Sequence, residues 1–217
     1  MIERDYIMRM IQMLTNALAQ ILFFKKGAQY TEALHDIQTV GEKIIGMKWE
    51  LLKKLSDAQI VELLSTDQDL GTPKLYVAGV LLKEEGEIDR LAGRTDDAVQ
   101  KFATGLSLLT ESYVTAQGAM TPDHSAAIES LVASLDRYEI PFHIKKRLFP
   151  FYELIGYYGK AEDVLFDLVE ADEAFVTVGI EFYSRISKKS DEELLKGNLP
   201  RAEIEDGVLA LQEKIAS

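Results

Sequence analysis

Apolar residues recur at intervals of three and four along residues 75–113, and the pattern breaks once, at Gly93-Arg94-Thr95. This spacing places an apolar stripe along one side of an α-helix, so it predicts two amphipathic helices joined by a short turn. Glycine suits the turn because it adopts the left-handed conformation in which many helices end. We therefore expect a helical hairpin at the centre of the chain. Its inner stripes comprise Leu75, Val77, Ala78, Leu81, Leu82, Glu85, Ile88, Leu91 and Ala92, then Ala98, Val99, Phe102, Leu106, Leu109 and Tyr113.

The first helix of this hairpin also carries a dense group of charges. Acids and bases alternate at the spacing of neighbours on a helix surface, which is typical of a solvated face. The carboxylates could instead form a catalytic pair, but the interleaved basic residues favour ordinary surface charge. The residues concerned are Lys83, Glu84, Glu85, Glu87, Asp89 and Arg90.

Similar breaks recur along the chain. A compact residue at a break is followed five positions later by another at 28–33, 93–98, 159–164 and 197–202, and the first three lie 65 and 66 residues apart. Proline is scarce, and no stretch shows the alternation that a strand requires. The sequence predicts an all-α chain of roughly ten to twelve helices, stacked as antiparallel hairpins. We expect one domain over 1–217, with a sub-boundary near 115–121.

Local signals mark some helix starts. Ser56 with Gln59, and Ser190 with Glu193, have the spacing of capping boxes and predict helices that begin after each serine. Pro150 lies within an apolar-periodic segment, where it must either kink the helix or mark a fresh start.

The central hairpin resembles a tetratricopeptide repeat, a pair of helices with small residues where the two helices touch. The likeness implies a tetratricopeptide-like α-solenoid, a right-handed superhelix of stacked hairpins, whose concave face would include Lys83, Glu87 and Arg90. It is carried by Gly86, Gly93, Ala98, Phe102 and Gly105, while Leu82 and Asp89 stand where the family favours tryptophan and tyrosine.

Residues 1–14, continuing through 24–26 and 30–34, are similar to a bacterial family of uncharacterised tetratricopeptide-like proteins. This resemblance covers most of the chain. It implies the same fold and a bacterial, cytosolic origin, and it brings no activity with it.

Composition narrows the classes of partner. With 36 acidic and 24 basic residues the net charge is −12, which repels nucleic acid unless the basic residues are segregated. The densest basic run, Lys145-Lys146-Arg147, points in several directions on a helix and is typical of a solvated face. The chain has no cysteine, which excludes thiol chemistry and suits a reducing, cytoplasmic compartment.

The segment from Met10 to Phe24 contains no charge and resembles an export or membrane segment. It is shorter than the ~20 residues that span a bilayer, and polar residues recur along one side of it. We therefore predict an amphipathic helix packed on the protein, with no membrane partner. Its methionines, Met8, Met10 and Met13, suit either a core or an adaptable surface that binds another helix, and the core is favoured.

Candidate catalytic groups are few. His35, His124 and His143 stand on three different predicted helices, without partners at metal-ligand spacing. We find none of the common metalloprotease, hydrolase or phosphate-loop motifs. The sequence therefore predicts no catalytic residue, no metal site and no cofactor.

What remains is binding. We expect a non-catalytic protein-interaction or scaffold module that binds a protein or peptide on its helical surface. The first alternative is a self-associating homodimer, joined through the Met-rich first helix or an aromatic surface, and the second is a helical enzyme with an unrecognised site. The candidate partner-binding residues are Lys83, Glu87, Arg90, Lys146, Phe149, Glu153 and Tyr157.

Overall fold

A computed structural model describes residues 2–216, with side chains from Asp5 to Lys214. Over that range the chain is helical and contains no strand, which confirms the all-α class. The helices are α1 (Ile2–Lys26), α2 (Tyr30–Ile45), α3 (Trp49–Leu52), α4 (Asp57–Ser65), α5 (Gly71–Leu91), α6 (Thr95–Thr115), α7 (His124–Ser134), α8 (Phe142–Leu154), α9 (Tyr158–Ala171), α10 (Phe175–Ile186), α11 (Asp191–Lys196) and α12 (Arg201–Ala216).

The chain divides into two compact units, Met1–Glu139 and Ile140–Ser217. The first unit contains α1 to α7 and the second contains α8 to α12. The loop that follows α6, near which a sub-boundary was predicted, lies within the first unit. A single domain over the whole chain stays a prediction.

In the first unit, α5 packs along α6 as the predicted central hairpin. Gly93 ends α5 in the left-handed conformation, at a φ of 77°. Its N–H donates to Arg90 O, and the N–H of Arg94 donates to Asp89 O, which together satisfy the last carbonyls of the helix. Around this pair, α2 packs on α5, α1 packs on α2, and α7 packs on α6.

Glycines allow α5 and α6 to approach closely. A Cβ atom on Gly86 would lie 2.7 Å from the Phe102 ring, and one on Gly79 would lie 2.7 Å from Leu109 Cγ. Both distances are shorter than van der Waals contact, so a larger residue at either position would force the helices apart. The small residues at these positions therefore determine how the hairpin packs.

In the second unit, α8 packs along α9, and α10 packs against α12 and α9. Aromatic rings fill much of this core, with Phe149 against Phe182 at 5.4 Å between ring centroids. Pro150 lies inside α8, which continues to Leu154, so a fresh start at the proline is excluded. Gly156, at a φ of 79°, ends the helix as Gly93 does in the first unit.

The predicted capping boxes are both present, at Ser56 and at Ser190. The predicted spacing of the breaks, however, is wrong in the second unit. The left-handed residues there are Gly156 and Asn198, whereas Gly159 lies within α9. Close packing, not a left-handed backbone, requires a glycine at position 159, because a Cβ there would lie 2.4 Å from Asn198 O.

Candidate functional site

Two carboxylates of the charged group on α5 are core residues: the apolar spacing predicted this for Glu85, whereas for Asp89 the sequence predicted a solvated face. Glu85 and Asp89 lie on α5 with exposed fractions of 4% and 2%. They fall on the side of α5 that faces other helices, so the alternation of charges was misinterpreted as surface charge. Since an unpaired buried carboxylate is strongly unfavourable, each requires a partner in the core.

Basic side chains from neighbouring elements neutralise this pair. Lys53 Nζ donates to Glu85 Oε1 at 2.7 Å, and Trp49 Nε1 donates to Glu85 Oε2 at 2.8 Å. Lys101 on α6 pairs with both carboxylates, and Arg94 Nη2 lies 2.5 Å from Asp89 Oδ1. We call Lys53, Glu85, Asp89, Arg94 and Lys101 the ionic cluster.

The ionic cluster has little room for a ligand. A cavity of about 70 Å³ adjoins it, lined by Lys53, Leu55, Ile60, Leu82, Gln100, Lys101 and Thr104. Ligand pockets are usually several times larger. The cluster is therefore a structural feature that joins α3, α5 and α6.

The candidate binding residues of α5 are paired with one another or with neighbours. Arg90 Nη2 lies 2.7 Å from Glu87 Oε2, and Lys83 Nζ lies 3.2 Å from Glu84 Oε1. Lys25 on α1 donates to the same Glu84 carboxylate at 2.6 Å. Burial alone would raise the pKa of Glu84, but the two lysines lower it below its ordinary value. These residues form surface and interhelix ion pairs.

His124 is fully buried in the first unit. The Met120 N–H donates to its Nδ1 at 3.2 Å, so the neutral ring carries its proton on Nε2, which lies 3.0 Å from Leu109 O. The rings of Tyr76 and Tyr113 pack edge-on against it. Burial lowers the pKa of His124 to about 4, although the Leu109 carbonyl opposes the shift. A neutral histidine held in this way stabilises the fold.

The other two histidines lie away from His124. His35 and His143 are exposed, on α2 and α8. Within the described residues, no group of three or more histidine, aspartate or glutamate side chains converges to hold a metal ion.

The second unit contains a groove of about 470 Å³. Its walls come from the end of α8, the turn into α9, and the end of α10 with the residues that follow. This second-unit groove is lined by Pro150, Glu153, Leu154, Ile155, Gly156, Tyr158, Arg185, Ile186 and Lys189.

Apolar and charged groups share the groove. Ile186 is buried, whereas Leu154 remains 46% exposed. Arg185 donates to both carboxylate oxygens of Glu153, at 2.7 and 2.8 Å, and this pairing raises the pKa of Arg185. Lys189 Nζ lies 3.4 Å from Glu193, an exposed carboxylate that does not line the groove. The groove therefore holds an apolar surface beside two cations and one acid.

Of the candidate residues in the second unit, only Glu153 lines the groove. Phe149 is 5% exposed and packs edge-on against Phe182, so its ring belongs to the core. Tyr157 is exposed, with Lys160 Nζ 5.1 Å from its ring centroid. Lys146 lies over the Phe142 ring at 5.5 Å.

Sequence reasoning missed Leu154, Arg185 and Lys189. Arg185 lies in the last turn of α10, and Lys189 lies in the turn that follows the helix. Their distance from Glu153 along the chain hid the ion pair that joins α8 to α10. Only the packing of the helices brings these residues together.

The chain matches the sequence profile of one family, described as Family of unknown function (DUF6483), over residues 1–216. No curated protein and no solved structure matches it. The match covers both units.

Proposed function

This chain belongs to the DUF6483 family, whose function is unknown, and from its geometry we propose a non-catalytic module that binds a partner protein. The second-unit groove is the proposed binding site. The observation that carries the proposal is an exposed leucine, Leu154, beside the cations Arg185 and Lys189 in a groove of about 470 Å³. The family brings no activity that would favour another function.

The chemistry of the groove indicates what it binds. Leu154 and Ile155 offer an apolar surface beside the buried Ile186, and apolar surface that a partner covers favours binding. Arg185 donates two hydrogen bonds to Glu153 at 2.7 and 2.8 Å, whereas Lys189 lies 3.4 Å from Glu193, so Lys189 is the cation more readily available to a carboxylate of the partner. We expect the partner segment to carry an apolar side chain next to an aspartate or glutamate.

Selection from a displayed library of random peptides tests this proposal. Peptides selected on the full chain should be enriched in an apolar residue beside an acidic one. Fluorescence polarisation with a selected peptide should show at least about tenfold weaker binding to Leu154→Asp and to Lys189→Glu. Both variants keep the buried core intact.

Leu209→Asp provides the matched control, because Leu209 on α12 is 57% exposed and does not line the groove. It should bind the peptide as the native chain does. Failure to select any peptide, or equal weakening by Leu209→Asp and Leu154→Asp, would contradict the proposal.

The finer architecture is also a proposal. We infer that the hairpins stack as tetratricopeptide-like repeats, and the packing of Phe102 beside Gly86 on the paired helix supports this. An experimental structure in which the α1–α2 and α5–α6 pairs superpose as successive repeats would support the inference. Pairs that pack at unrelated angles would contradict it. We also propose a cytoplasmic location, which cell fractionation would test.

A further inference from the structure

The second-unit groove contains an acid as well as its two cations. Glu153 lies in the last turn of α8, and its side chain is 21% exposed. A carboxylate near the C-terminal end of a helix meets the negative end of the macrodipole, which is unfavourable. The stability of α8 itself therefore does not account for this acid. The ion pair with Arg185 on α10 stabilises it instead.

Glu153 binds the edge of Arg185 that a carboxylate of a partner would prefer. Its Oε1 accepts a hydrogen bond from Arg185 Nε at 2.7 Å, and its Oε2 accepts one from Nη2 at 2.8 Å. Two parallel hydrogen bonds of this kind are a strong contact between arginine and a carboxylate. An incoming carboxylate must displace Glu153 or share the guanidinium with it. Displacement breaks two hydrogen bonds, and sharing brings two like charges together, so either weakens binding.

Two other acids near these cations lie outside the groove. Glu181 is exposed on α10, one turn before Arg185, and it raises the pKa of Arg185 less than Glu153 does. Glu193 lies 3.4 Å from Lys189, and its carboxylate already accepts the hydrogen bonds of a capping box. Glu153 differs from both because it lines the groove and contacts Arg185 directly.

We propose that Glu153 is an internal competitor, which occupies Arg185 and so weakens the binding of acidic segments to the groove. This role rests on the proposed function of the groove. Lys189 then meets the first carboxylate of a partner, and Arg185 is released only when a carboxylate replaces Glu153. An acidic segment therefore binds with moderate affinity and dissociates readily. If the ion pair served only to join α8 to α10, the loss of Glu153 would leave binding unchanged or weaken it.

Glu153→Gln tests the competition, because glutamine keeps the shape of the side chain and removes its charge. An acidic peptide selected on the native chain should bind Glu153→Gln about two- to fivefold more tightly in fluorescence polarisation, the range expected for a partly exposed ion pair. The same peptide with its acidic residues replaced by asparagine or glutamine should bind both chains equally. Unchanged or weaker binding of the acidic peptide to Glu153→Gln would overturn the proposal.

Glu181→Gln is the matched control. It removes the same charge one turn from Arg185, but Glu181 does not line the groove. Salt screens a charge that the partner does not approach, so the acidic peptide should bind Glu181→Gln within about 1.5-fold of the native affinity. Tightening equal to that of Glu153→Gln would show that net charge alone sets the affinity, and it would overturn the competition.

A double variant tests whether the released arginine causes the gain. Glu153→Gln combined with Arg185→Gln removes the competitor together with the cation that it occupies. The acidic peptide should bind this double variant within about twofold of the native affinity. Binding as tight as that of Glu153→Gln alone would show that Glu153 acts by repulsion without Arg185, and it would overturn the proposal.

Leu154→Asp separates failure of this role from failure of the groove as a binding site. Loss of peptide binding in Leu154→Asp, with no tightening in Glu153→Gln, would leave the groove as the binding site and overturn only the competition. Equal binding to Leu154→Asp and to the native chain would overturn both. Glu153→Gln should unfold in urea at nearly the native midpoint because the ion pair is partly exposed, so its change in affinity reports on the groove.

Discussion

The two main hairpins use charged residues in opposite ways. In the α5–α6 pair, the carboxylates Glu85 and Asp89 are buried and neutralised by lysine and arginine from three elements. Near the α8–α9 pair, Glu153 and Arg185 form their ion pair at the wall of an open groove. Buried charged residues thus hold helices together, whereas charged residues at the groove are accessible to a partner, although the residue types are the same.

Packing explains this difference. Gly79 and Gly86 let α5 and α6 lie so close that little space remains beside the ionic cluster. The second unit has large rings between its helices, and Leu154 stays exposed where α8 ends. Small residues at the helix contacts therefore give a closely packed hairpin in the first unit, and large rings at the contacts accompany an open groove in the second.

Removal of a buried carboxylate should have the largest effect on stability. Asp89→Ala leaves Lys101 without one of its two anionic partners and Arg94 without its own, so we expect a loss of about 3–5 kcal/mol in the free energy of unfolding. Urea denaturation at neutral pH measures it. Glu87→Ala, which removes a partner of the exposed Arg90, should cost less than about 1 kcal/mol. Equal losses would show that Asp89 behaves as a surface residue.

Close packing of the first hairpin gives the next largest effect. Gly86→Val places a branched side chain against the Phe102 ring and should cost about 2–3 kcal/mol. Gln100→Val introduces the same side chain at an exposed position of α6 and should cost well under half as much. Urea denaturation of both variants checks the difference. A Gly86→Val chain as stable as the control would contradict the close approach of α5 and α6.

A pH effect should distinguish the first unit. The pKa of His124 is about 4 in the fold against an ordinary 6.5, so the unfolded chain binds more protons between these values. The contribution of neutral His124 to the free energy of unfolding is therefore fully present above about pH 6.5 and is lost as the pH falls toward 4. From pH 7.5 to 5.0 the loss should be about 2 kcal/mol.

Thermal or urea unfolding at the two pH values measures this loss. His124→Gln should be less stable at pH 7.5 and should lack most of the His124 part of the pH dependence. His35→Gln, at an exposed position, should retain the native pH dependence. A His124→Gln chain with the full pH dependence would show that other groups cause it.

A smaller effect is expected in the second unit. The buried Tyr183 hydroxyl donates to Glu162 Oε1 at 2.5 Å, and burial, followed by Glu162, raises the pKa of Tyr183. Tyr183→Phe should cost about 1–2 kcal/mol because the partly buried carboxyl loses its donor. Tyr138→Phe, at an exposed tyrosine, should be neutral within about half a kcal/mol. Equal stability of the two variants in urea would contradict a role for the bond.

Sequence patterns predicted where the helices lie better than they predicted which residues are buried and which residues are in contact. Apolar spacing identified the central hairpin, and the capping boxes at Ser56 and Ser190 were found where expected. Periodicity placed Glu85 in the inner stripe, but it did not show that Asp89 is buried or that the two carboxylates are paired with Lys53, Arg94 and Lys101. The groove depends on Glu153 and Arg185, which lie 32 positions apart. Such a contact follows from helix packing, which single-sequence periodicity does not specify.

Methyl-resolved NMR of the full chain with a selected peptide tests most directly whether the second-unit groove is the binding site. The proposal predicts that the methyl signals of Leu154, Ile155 and Ile186 shift on titration. Signals of Ile60 and Leu82, which line the small cavity beside the ionic cluster, should stay in place. Shifts confined to the first unit, with those of the groove unmoved, would contradict the account.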